Sequence, residues 1–147
     1  MTSQLSAKFT LWANRIIALV MVLLCFFLQD LLIWYRDLRQ LPWQVCAAIM
    51  AGFYLCAPAV MYALWCIEKL LRNVLKEDVF VLANVRYIRR IRWCCASVSG
   101  ICLVAGMLYP PLVFLAVIMA FLALMVSVVK NVMAAAVELR EENDLTV

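Results

Sequence analysis

The sequence has no histidine and only three glycines, Gly52, Gly100 and Gly106. Without histidine, general acid–base work falls to carboxylates or lysines, and three scattered glycines build no phosphate-cradling loop. The G-x-x-x-x-G-K, H-E-x-x-H and G-x-S-x-G patterns are all missing. Charge is scarce too, at 15% of residues, where a soluble domain carries about a quarter. The seven cysteines, Cys25, Cys46, Cys56, Cys66, Cys94, Cys95 and Cys102, lie in or beside apolar segments and form no C-x-x-C. A disulfide framework needs an oxidising aqueous space and a zinc site needs spaced Cys or His, so these thiols read as small apolar packers. The expectation is a protein with no catalytic residue, no cofactor and no metal.

Apolar residues are abundant. They make up 69% of the 147 residues, with a mean hydropathy of +1.01. A soluble fold of this length has too little interior for so much apolar side chain, and the remainder would form exposed patches. The fold class expected is all-α membrane protein, a single integral domain over residues 1–147 with four transmembrane helices. About 20 helical residues cross the hydrocarbon core. The first span is placed at about 11–28, with Arg15 near its start. Its core, Ile16 to Leu28, is as short as a signal-peptide core, but "QDLLIWYRD" follows without a small-x-small cleavage site, so it is expected to be retained. The second span is 43–67, bounded by tryptophans and kinked at Pro58. The third is 93–109 and the fourth 111–129, separated by a tight turn at "YPP", residues 109–111.

Basic residues are unevenly shared among the connections. All but Arg36 and Arg39 fall at the N-terminus, between the second and third spans, or in the tail, and the third connection has none. Under the positive-inside rule both termini and residues 68–92 face the cytoplasm. Residues 68–92 are then expected as a cytoplasmic helical hairpin turning near Glu77 and Asp78, and 130–147 as a cytoplasmic tail, helical to about Arg140.

Four arginines, Arg86, Arg89, Arg90 and Arg92, fall within seven positions and precede Trp93. At about 100° per residue they gather on one helical face opposite Tyr87, Ile88 and Ile91. Asn84 falls on the apolar side, where its amide requires partners; bonding the free backbone groups at the end of the preceding helix is the role expected for it. The arginines fix topology and attract anionic lipid headgroups near Arg86–Arg92. They also offer a docking surface for a cytoplasmic protein, whereas one short basic face without a recognised fold gives no reason to expect direct nucleic-acid binding. The acidic tail, Glu138, Glu141, Glu142 and Asp144, is expected to pair with this face. Small residues at Ala48, Gly52 and Cys56, and at Ala96 and Gly100, suit close helix packing within one chain or between copies as a homo-oligomer.

"KEDVFVLANVRYIRRI" in the middle and "AVELREENDLTV" at the end together resemble a family of small bacterial four-span membrane proteins of unknown function. Members carry a turn of the Gly-Glu-x-Phe-Thr type, then an asparagine and a basic helix, and end in Glu-Asn-Asp-Leu-Thr. The matching positions are Glu77, Phe80, Asn84, Arg86 and Arg90, and then Glu142, Asn143, Asp144, Leu145 and Thr146. Lys76 stands where the family has glycine, and Val81 where it often has a threonine able to cap the next helix. The resemblance implies a multi-pass protein of the bacterial inner membrane. It also implies a neighbour, because such proteins are often encoded beside a small helix-turn-helix regulator of the Cro/repressor type.

The function expected is a non-enzymatic scaffold or regulator that docks a cytoplasmic partner, the regulator being the implied one. Its candidate binding residues are Phe80, Asn84, Arg86, Arg89, Arg90, Glu142, Asn143 and Asp144. The alternatives are a small transporter or channel subunit, for which Gln29, Asp30, Ser97, Ser99 and Ser127 are the sole intramembrane polar candidates, and an immunity or stress-protection protein.

Overall fold

The computed structural model of the chain describes residues 2–76 and 81–146, with side chains from residue 5 onward. Four helices follow in order: α1 (Thr2–Arg39), α2 (Trp43–Leu75), α3 (Leu82–Gly106) and α4 (Pro111–Leu145). No strand occurs among the described residues. Each helix packs on its neighbours in sequence, α1 on α2, α2 on α3 and α3 on α4.

Cross-links set the helices antiparallel. Between α1 and α2, Asn14 Nδ2 donates to the Leu64 carbonyl at 3.1 Å, and the Tyr54 hydroxyl donates to the Cys25 carbonyl at 3.1 Å. Between α3 and α4, the buried Ser99 hydroxyl donates to the Ala116 carbonyl at 2.8 Å. Val98, Cys102 and Ala116 form the small buried core, with Cys56, Val60 and Met119 packed on it. Helices α1 and α4 do not pack on each other. A cavity of about 390 Å³ lies between them, touched by Met21, Phe53, Cys102 and Met119 from the four helices.

The junctions follow from local chemistry. α1 ends in a reversal in which Gln40 takes φ 51° and the Leu41 N–H donates to the Arg36 carbonyl at 3.3 Å, a Schellman ending with glutamine in the usual glycine position. Pro42 then caps α2 in an extended conformation. α3 stops at Gly106, short of Tyr109, and Gly106 lies so close to Val113 that an added Cβ would sit 2.6 Å from Val113 Cγ2. Residues 107–110 make the turn and Pro111 opens α4, where a missing N–H costs nothing. Pro58 lies inside α2 without ending it.

Three helices, α1, α2 and α4, are long and apolar enough to cross a membrane. Only 11%, 6% and 11% of their most apolar windows are buried in the chain, so most of that surface must meet something other than water. That is the surface of a membrane protein. α3 differs for a definable reason. Arg89, Arg90 and Arg92 occupy its first half, which leaves Trp93 to Gly106 as its apolar part. The helices also overrun the segments expected from hydropathy. α1 runs 38 residues, about 57 Å at 1.5 Å per residue, and α4 continues past Arg140 to Leu145.

Candidate functional site

The alternation of directions brings the charged segments together at one end. Arg15 of α1 meets Glu68 of α2 at 3.2 Å, and Arg72 meets the same carboxylate oxygen at 2.6 Å. Asn73 of α2 bonds Asn84 of α3 at 2.8 Å. The start of α3, Val81, Leu82 and Ala83, shares a groove of about 390 Å³ with Arg140, Glu141 and Asp144 of α4. Arg36 and Arg39 alone among the basic residues lie at the opposite end, where the hydroxyls of Tyr35 and Tyr109 are 3.0 Å apart.

Within this end, α3 divides by face. Asn84, Val85 and Ile88 are buried, whereas Arg86, Arg89 and Arg90 are exposed. The basic face expected from the sequence is therefore three arginines wide, not four. Arg92 is half-buried and turned to α4, where Nη1 donates to Ser127 Oγ at 3.5 Å. Val85, next to Arg86 in sequence, packs inside.

The Asn84 side chain is fully buried, and its Oδ1 accepts from the Asn73 side chain near the end of α2. One of its partners is thus a side chain of the preceding helix. Full burial leaves Asn84 no exposed surface for the partner contact expected of it, and the bond fastens α2 to α3. Phe80, Glu77 and Asp78 lie outside the described residues.

Glu142, Asn143 and Asp144 are exposed on the last turns of α4. The expected pairing of this tail with the arginine face is not made: among the described residues, ion pairs join only Arg15 and Arg72 to Glu68 and Arg36 to Asp37. The tail instead flanks the first residues of α3, Val81 to Ala83, which precede the arginines in sequence. Three exposed guanidiniums thus stand without a carboxylate partner among the described residues.

The two departures from the family pattern have different consequences. Lys76 caps α2 with φ −88°, a conformation that asks for no glycine. Val81 is the N-cap of α3 and supplies no side-chain bond, so the capping oxygen a threonine would bring is lost.

The polar candidates for a pathway are spent on packing or turned outward. Ser97 donates to the Trp93 carbonyl of its own helix at 2.9 Å, Ser99 joins α3 to α4, and Ser127 accepts from Arg92. Gln29 and Asp30 are exposed on α1 and do not line the central cavity. Of the small-residue positions, Gly52 lies against Ala105, whereas Gly100 has open space beyond it.

A family profile described as protein of unknown function (DUF2975) matches residues 34–147, which takes in the end of α1 and all of α2, α3 and α4. No curated protein and no solved structure matches the chain.

Proposed function

The chain belongs to the family described as protein of unknown function (DUF2975), and from that premise we propose that it is a non-enzymatic scaffold or regulator of a bacterial inner membrane that docks a cytoplasmic protein. It crosses the bilayer four times. The fourth crossing is α3, whose apolar part reaches the minimum of about 17 residues once Met107 to Tyr109 are included. The positive-inside rule puts the arginine-bearing end in the cytoplasm, with both termini and the connection between α2 and α3.

The observation that carries the docking reading is the row Arg86, Arg89 and Arg90, exposed on one face of α3 and without an ion-pair partner among the described residues. Fixed on a packed helix, these guanidiniums present forked donors suited to carboxylates. The partner is a protein with an acidic surface, and a helix-turn-helix regulator is the one the family resemblance implies. Anionic headgroups share the same attraction near the bilayer, at about 1 kcal/mol per cation. Glu142, Asn143 and Asp144, exposed at the end of α4, add a polar and acidic segment at the same end of the helices that selects against acidic partners approaching from the tail side.

The test is mild-detergent co-purification of the chain and its Arg86→Glu/Arg89→Glu/Arg90→Glu variant, with insertion of the variant verified by reporter fusions. Loss of a wild-type companion protein supports docking at this face. Retention of every companion overturns it.

A further inference from the structure

We propose that Arg92, Ser127 and Lys130 form a seat for the phosphate of an anionic phospholipid at the charged mouth of the α3–α4 seam. The inference rests on the membrane part of the reading above and not on protein docking. Arg92 is the last charged residue before the apolar part of α3, and Lys130 is the first charged residue of α4. The antiparallel seam brings their levels together. Arg92 Nη1 lies 3.5 Å from Ser127 Oγ, and Lys130, three residues after Ser127, shares that face of α4. Both cations are half-buried, unlike Arg86, Arg89 and Arg90.

Among the described residues neither cation has a counterion. α3 contains no acid, and α4 has none before Glu138, about 12 Å beyond Lys130 along the helix at 1.5 Å per residue. Among the described residues no ion pair includes Arg92 or Lys130. Two positive charges partly withdrawn from water call for an anion, and at this depth the anion in supply is a lipid phosphate. Arg92 spends one of its donors on Ser127 and keeps the rest of its fork. Its guanidinium carbon lies 5.5 Å from the centre of the Trp93 ring, a side chain that favours the headgroup level. Toward the apolar interior, the exposed Leu124 and Phe121 of α4 offer a surface to acyl chains.

The full chain in detergent is titrated with phosphatidylglycerol and read by native mass spectrometry, against phosphatidylcholine. Wild type retains phosphatidylglycerol preferentially. Arg92→Gln/Lys130→Gln lowers that retention about 25-fold, or fivefold for each cation at about 1 kcal/mol. The charge-matched Arg36→Gln/Arg39→Gln at the opposite end leaves it unchanged. Lys130→Gln alone keeps the Arg92–Ser127 bond, guards against misfolding of the double variant, and is expected to lose about fivefold. Equal retention by Lys130→Gln and wild type, or equal retention of the two lipids by wild type, overturns the seat. Displacement of the lipid by inorganic phosphate at equal concentration assigns the site to free phosphate and overturns the lipid. Since no companion protein enters this readout, its failure is separate from failure of docking.

Discussion

The side-chain amide of Asn73 donates to the side-chain carbonyl of Asn84 at 2.8 Å, tying the last turns of α2 to the first turn of α3. The bond lies at the base of the connection between those helices, and Asn84 is fully buried beside it. A buried amide in a single defined geometry holds the register of the two arms, and with it the outward aim of Arg86, Arg89 and Arg90.

Asn84→Ala should therefore cost about 1–3 kcal/mol, since it strands the Asn73 amide. Thermal unfolding in detergent checks this. In a double-mutant cycle, Asn73→Ala and Asn84→Ala together should cost less than the sum of the single losses. An additive cycle would deny that the two amides act as a pair.

Gly106→Ala places a Cβ 2.6 Å from Val113 Cγ2 and 3.1 Å from the Val113 nitrogen. The α3–α4 turn must open to accept it, at about 1–3 kcal/mol for overpacking. Adding Val113→Ala removes the closer clash and leaves the backbone contact. The paired variant should recover part of the loss and not all of it, as measured by the same unfolding assay.

Gln40 holds φ 51° at the end of α1, where a side chain costs about 1–2 kcal/mol that glycine avoids. Gln40→Gly should therefore raise the unfolding temperature. A fall would mean that the Gln40 side chain contributes more than its backbone strain removes.

Much of this architecture is legible in the residues. The apolar runs, the prolines at 110 and 111 and the separation of charges predict the number and order of helices. The inward turn of Asn84 is visible on a helical wheel, at about 160° from Arg86 and about 40° from Ile88. Arg92 falls at about 240°, also about 40° from Ile88, so the same projection signals its turn toward α4. What the sequence does not disclose is register between helices. Asn73 as partner of Asn84, Ser127 as partner of Arg92, and the failure of the acidic tail to reach the arginines depend on how far each helix slides along its neighbour. Hydropathy also underestimates α1 and α4, because helical hydrogen bonding continues past the point where lipid ends.

The account turns on which compartment meets each end of the helices. Compartment reporters fused at either terminus, and inserted after Lys76, after Gln40 and after Tyr109, measure this directly. The termini and Lys76 positions should report the cytoplasm, and the Gln40 and Tyr109 positions the opposite side. A Lys76 reporter on the opposite side from the termini, or Gln40 and Tyr109 reporters in different compartments, would contradict it.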